Sequence, residues 1–192
     1  MLVLLCGWTL GAYAQSETKL EPIPMRFMLV MNAGISQYRQ PALGFTLAHV
    51  GLAGYYVSGM VGIDNIHLKY DFSTAPDGSL IDGDNAGLVP FYTGKRAVNR
   101  FSATAGAMVR MGIPLYAYVG GGYGFRTETR ELLNRQWVQA ASSLGHSGIA
   151  EFGLIGRIEN LTLMAGYTLF IGRQAHLYHE AKVGIGYTFD KR

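Results

Sequence analysis

Three clusters in the chain hold residue types that do chemistry. His176, His179 and Glu180, in the run HLYHE, offer two imidazoles and a carboxylate, donors that suit a divalent metal. Their spacing is not the H-E-x-x-H of a helix-borne zinc site, and the run joins a loop to a strand with no further ligand evident. His146, Ser147 and Glu151 have the residue types of a serine hydrolase working on membrane lipid. Neighbouring residues on a strand point to opposite faces, so His146 and Ser147 are not expected to share a proton. The segment VGGGYG at 119–124 invites a phosphate-loop reading. It lacks the G-x-G-x-x-G spacing, and no helix follows to present its N-terminus to an anion. Glycines that relieve crowding in a curved barrel strand are the plainer reading. No catalytic, metal or cofactor residue is therefore assigned, and the chain is not read as an enzyme.

The elements that would position such groups are strands. The stretch 97–128, AVNRFSATAGAMVRMGIPLYAYVGGGYGFRTE, alternates with period two on both sides of a turn at Gly112, Ile113 and Pro114. Phe101, Ala103, Ala105, Ala107, Val109 and Met111 share one face, continued by Leu115, Ala117, Val119, Tyr123 and Phe125. The opposite face carries Gly, Ser, Thr, Tyr and Arg, which suits the crowded inside of a small membrane barrel.

Composition points the same way. Charged residues make up 15% of the 192, against about 25% in soluble domains, and the 26 glycines are about twice the usual share. No apolar run reaches the 18 or so residues of a spanning helix. A net charge of +3 without a basic run gives no reason to expect nucleic acid as a partner.

Residues 1–14 read as a signal peptide ending in the A-x-A pattern Ala12-Tyr13-Ala14. No positive n-region precedes them, so the natural start is expected upstream of Met1. Cys6, the one cysteine, is expected to leave with this segment. Residues 15–24 are polar and proline-bearing and read as a periplasmic leader, and 25–192 as the barrel. Its strands are expected at about 26–35, 43–50, 54–65, 97–111, 115–128, 147–158, 161–171 and 180–189, with tight turns at 51–53 and 159–160. The long connections 70–96 and 127–146 alternate with the short turns. An even strand number with this asymmetry predicts an all-β fold, an eight-stranded antiparallel up-and-down transmembrane β-barrel. A soluble lipocalin-like barrel is the rival, and it would turn the apolar face inward around a ligand. Tyr92, Phe91, Tyr123, Phe125 and Trp137 read as an interfacial aromatic girdle.

The blocks FYTGK (91–95), LYAYVGGGYGFR (115–126) and VGIGYTF (183–189), with the hairpin GFTLAHVGLAGYYV (44–57), resemble a family of small Bacteroidetes-type outer-membrane β-barrel proteins. The likeness covers nearly the whole mature chain, and the family has no assigned activity. It implies outer-membrane lipid and the barrel-assembly machinery as partners. Phe189 then stands as the terminal aromatic that the machinery reads.

Strand parity also sorts the charges. With both termini in the periplasm, Asp64, Arg126, Glu128, Arg100, Glu180 and Lys182 fall at the external end of the lumen, and Glu151 a little deeper. Ions withdrawn from water need partners, so this set is expected to pair and close the bore. Arg26, Arg110 and Arg157 fall at the periplasmic end with no carboxylate of matching parity, and are expected to stay hydrated at an open mouth. Function is read as a structural or surface-loop interaction protein, with an unknown partner met through loops 70–96 and 127–146. A narrow passive pore and a lipid-modifying enzyme are the alternatives.

Overall fold

A computed structural model describes residues 25–37, 39–63, 69–112, 114–140, 145–172 and 177–190. The expected signal segment 1–14 and leader 15–24 lie outside this set, as do Asp64 and His176. Among the described residues ten strands form: β1 (Arg26–Ser36), β2 (Pro41–Val50), β3 (Ala53–Gly62), β4 (Phe72–Ser73), β5 (Tyr92–Arg110), β6 (Leu115–Leu132), β7 (Trp137–Gln139), β8 (Gly145–Ile158), β9 (Leu161–Gly172) and β10 (Leu177–Asp190). Eight of them, all but β4 and β7, pair antiparallel with their neighbours in order. The ring closes where β1 meets β10, with Phe27 opposite Phe189 and Met31 opposite Ile185. The fold is a closed eight-stranded up-and-down barrel.

Period-two patterning decides which way each side chain points. Met31, Phe45, Val57, Val119, Phe152 and Val183 are exposed on the outer wall, while Met28, Thr46, Tyr56, Tyr118 and Thr168 are buried in the bore. A soluble ligand-carrying barrel would place those apolar residues inside. Here they form a belt around the outside, far larger than the apolar patches of soluble monomers. No helix of the described residues is long and apolar enough to cross a membrane.

One end of the barrel has short connections. Residues 51–52 link β2 to β3, and 159–160 link β8 to β9 with Glu159 at φ 54°. The other end is built up far beyond the expected hairpin. Val61 pairs with Phe101, and Gly145 with Arg126, and above these rows β5 and β6 have left the barrel wall. Residues 92–99 of β5 and 127–132 of β6 continue together past the rim as a ladder about 20–30 Å long at strand pitch. Gly94, at φ 89°, takes the bend where the register shifts between Tyr92 and Arg96.

Above the rim β6 takes a new neighbour, β7, with Thr129 opposite Gln139, and β7 pairs parallel with β4. Leu80, Leu132 and Val138 are buried together, with Phe72 and Tyr92 packed against them. The two stretches expected to be long loops thus fold into a small sheet with a core of its own, here termed the platform. Trp137 and Tyr92 belong to the platform and stand above the level of an interfacial girdle.

Candidate functional site

The bore is filled in layers. At the short-turn end Met28, Val30, Val50, Tyr56, Met108, Tyr116, Tyr118, Ile155 and Met164 form one buried cluster. Tyr56 and Tyr118 meet edge to face, with ring centroids 5.0 Å apart at 72°. Glycines make the room for them. A Cβ at Gly106 would fall 2.7 Å from the Tyr56 ring, and one at Gly153 would fall 2.6 Å from the Tyr118 hydroxyl. Glycines 120 and 166 are equally closed off by these two hydroxyls. Within the run at 119–124 this accounts for Gly120, while Gly122 is closed off by the Ala103 carbonyl and Gly124 by Ser147 and Phe170.

A polar belt lies above that cluster. Asn32 donates to Thr46 at 2.7 Å, and Thr46 to Ser58 at 2.9 Å. Lys182 Nζ lies 2.5 Å from Glu151 Oε1 and 3.3 Å from Ser58 Oγ. The Thr104 hydroxyl donates to the other oxygen of Glu151 at 2.7 Å. The Lys182 ammonium also sits 5.8 Å from the centre of the Tyr118 ring, a cation–π distance. Each charge is thereby desolvated and then repaid by a short ion pair and oriented hydroxyls, the condition for keeping it inside.

Nearer the rim, Arg100 Nη2 lies 2.5 Å from Glu180 Oε2, with both side chains almost fully buried. In the ring of eight, β5 and β10 are four strands apart by either route, so this ion pair spans the bore. The Arg100 guanidinium lies 5.4 Å from the centre of the Tyr178 ring. Ile149, Phe170 and Tyr178 pack together at the same end. A Cβ at Gly34 would come 2.5 Å from Glu180 Oε1, so a glycine on the neighbouring strand, two residues from the register partner Ser36, leaves space for the carboxylate.

The remaining charges of the upper set lie higher. Glu128 accepts from Arg130 Nε at 2.8 Å and sits 3.6 Å from Arg126 Nη2. In the platform, the Thr93 hydroxyl donates to Glu131 at 2.9 Å and Lys95 Nζ lies 3.2 Å away. The Thr93 bond first, and Lys95 second, hold the Glu131 carboxyl below the usual carboxylate range. The expected set therefore separates into a part inside the bore, Arg100, Glu151, Glu180 and Lys182, and a higher part in which Glu128 is also buried and Arg126 is partly exposed.

Arg26, Arg110 and Arg157 are half-buried at the short-turn end. Arg110 Nε donates to the Gly112 carbonyl at 3.2 Å. Inward of these three arginines stands the Met, Val and Tyr cluster, which the sequence reading did not single out. Its signal was the same parity that places the charges, read for Met28, Tyr56 and Ile155. Phe189 is exposed on the outer wall, 6.1 Å from Phe27 and 4.8 Å from Tyr187 between ring centroids.

The three chemical clusters come out as follows. His146 points outward, between Phe125 and Tyr123, and is hydrogen-bonded to the Tyr123 hydroxyl. Ser147 points inward and donates to the Gly124 carbonyl at 3.3 Å. The two therefore stand on opposite faces of β8. His179 stacks on Tyr167 on the outer wall, while Glu180 faces the bore toward Arg100. Among the described residues no group of three or more His, Cys, Asp or Glu is placed to hold a metal.

No protein-family model matches the chain, and no curated protein does. Solved structures are similar to it. Ail, the attachment invasion locus protein of Yersinia pestis, aligns at 14% identity and a TM-score of 0.54, over 88% of this chain and 100% of its own. The N-terminal β-barrel domain of Pseudomonas aeruginosa OprF aligns at 13% identity and a TM-score of 0.52, over 85% of this chain and 97% of its own. At these identities the likeness concerns the fold, which is that of small outer-membrane eight-stranded β-barrels.

Proposed function

We propose that the protein is a closed, non-conducting barrel of the outer membrane that holds the platform outside the cell as a surface for a partner. The platform is the observation that carries this reading. Two strands are prolonged well past the rim, braced by β4 and β7, and given a private core of Leu80, Leu132 and Val138. A barrel that served only as a membrane filler has no use for such an extension. The apolar outer belt and the fold of the similar structures support residence in the outer membrane. The short-turn end, with both termini of the barrel, would face the periplasm. The exposed Phe189 on the last strand supports its reading as an assembly signal.

The layered filling of the bore speaks against the pore, because an eight-stranded barrel has room for its own side chains or one small ligand. The opposed faces of His146 and Ser147 speak against a lipid-cleaving enzyme. Epitope tags at Asp82 and at Asn134 should be reached by antibody on intact cells, and a tag at Gly112 only after permeabilisation. Labelling of Gly112 on intact cells would overturn the orientation. A strain lacking residues 92–99 and 127–139 should keep the barrel and lose the partner.

A further inference from the structure

Outside the bore, a cavity of about 470 Å³ opens on the outer wall where the platform leaves the rim. Small-ligand sites occupy about 300–1,000 Å³. Its floor is Val61, Phe101 and Phe125, which share the outward parity of the apolar belt and continue it without a break. Its back wall climbs the same face of β5 and β6 through Asn99 and Thr129, with Gln139 of β7 beside Thr129 and Tyr70 closing the side. Arg100 contributes to the lining, but its guanidinium is turned into the bore toward Glu180.

Thr129 is 2% exposed, and its hydroxyl has no hydrogen-bond partner among the described residues. A buried hydroxyl left without a partner is rare in a folded protein and calls for an occupant. The geometry points to one: we propose that this cavity binds a single glycolipid of the leaflet at the platform end. One acyl chain lies over Val61, Phe101 and Phe125, and the sugar hydroxyls or acyl amide of the headgroup meet Thr129, Asn99 and Gln139.

Two features select this chemistry. The apolar floor is open to the belt, so the ligand enters sideways from the bilayer rather than from water. The polar wall is neutral, and hydroxyl and amide side chains match hydroxyl and amide groups. A phosphate-led headgroup would be met by arginine or lysine forks instead. The proposal rests on the reading of the protein as an outer-membrane barrel with its platform outward.

The test uses the full chain purified from the outer-membrane fraction and placed in phosphatidylcholine nanodiscs doped with either dephosphorylated lipid A or phosphatidylglycerol. Native mass spectrometry should find one dephosphorylated lipid A retained per chain and several-fold less phosphatidylglycerol. Thr129→Val, which keeps the shape and removes the hydroxyl, should lower retention of the glycolipid about fivefold. Gln139→Ala provides a second loss in case Thr129→Val folds poorly, and Val119→Ala, elsewhere on the belt, should change nothing. Equal retention of the two lipids, no retained lipid, or retention untouched in both cavity variants would overturn the site. Absence of the protein from the outer-membrane fraction would instead overturn the membrane reading on which the site depends.

Discussion

Lys182 and Glu151, two strands apart in the ring, form a 2.5 Å ion pair at 1% and 2% side-chain exposure in the middle of the bore. Such a pair is weak evidence for net stability, because desolvating both ions offsets most of their attraction. Removing one partner is a different matter. Glu151→Gln leaves the Lys182 ammonium buried without its counter-ion and should cost about 3–5 kcal/mol. The double variant Glu151→Gln/Lys182→Met should recover most of that loss. Urea unfolding from lipid vesicles measures both, and a double variant no better than the single one would mean that the hydroxyl belt carries the stability.

The outer wall predicts a graded response to charge. Val183 lies midway along β10, opposite Ala33 and Ala165, whereas Val109 is the second-last residue of β5 at the short-turn end. Both are exposed on the belt. Arginine at Val183 should cost about 2–4 kcal/mol and at Val109 about 0–1 kcal/mol, following depth in the bilayer. Leu163, the third residue of β9 after the short turn, should behave as Val109 does. Reversible unfolding from bilayers reads the difference, and equal costs at 183 and 109 would place the membrane elsewhere on the barrel.

Conduction follows from the layers in the bore. The purified protein in a planar bilayer should show no single-channel steps, since Tyr56, Tyr118 and their neighbours close the bore below the ion pairs. Tyr56→Ala/Tyr118→Ala should open it, because glycines 106, 120, 153 and 166 face the vacated volume. Glu180→Gln alone, which releases only the upper pair with Arg100, should remain silent. Steady steps from the parent protein would favour the pore.

The platform should respond to acid through Glu131. Its carboxyl is held below the usual range by the Thr93 hydroxyl and then by Lys95, so the unfolded segment takes up a proton at higher pH than the folded one. The stabilisation is complete above the unfolded value of about 4.3, declines as the pH drops below it, and is gone once the pH falls through the folded value. Amide exchange in 92–99 and 129–139 should quicken over that window. Thr93→Val should raise the lower end of that window toward ordinary carboxylate pH and shrink the total change, and an unchanged window would remove Thr93 as the cause.

By itself the sequence determined the strands, their faces and the turns. Alternation through residues 101–111 and 115–125 is enough, because a strand has only two faces and a closed ring makes one of them the inside. That rule alone sends Arg100, Glu151, Glu180 and Lys182 inward and Val109, Val119 and Val183 outward. Which charges meet was decided only by the tertiary structure, because parity assigns a face but neither the position around the ring nor the stagger between strands. Arg100 finds Glu180 across the full bore, and Lys182 finds Glu151 two strands away, through registers set by all eight pairings. The platform was beyond sequence reading for a related reason. Phe72-Ser73 and Trp137-Val138-Gln139 are too short to show a period. They become strands only because β6, freed from β8 above Arg126, offers an edge to β7 and β7 in turn offers one to β4, and because Leu80, Leu132 and Val138 then gain a core that none of the three segments has alone.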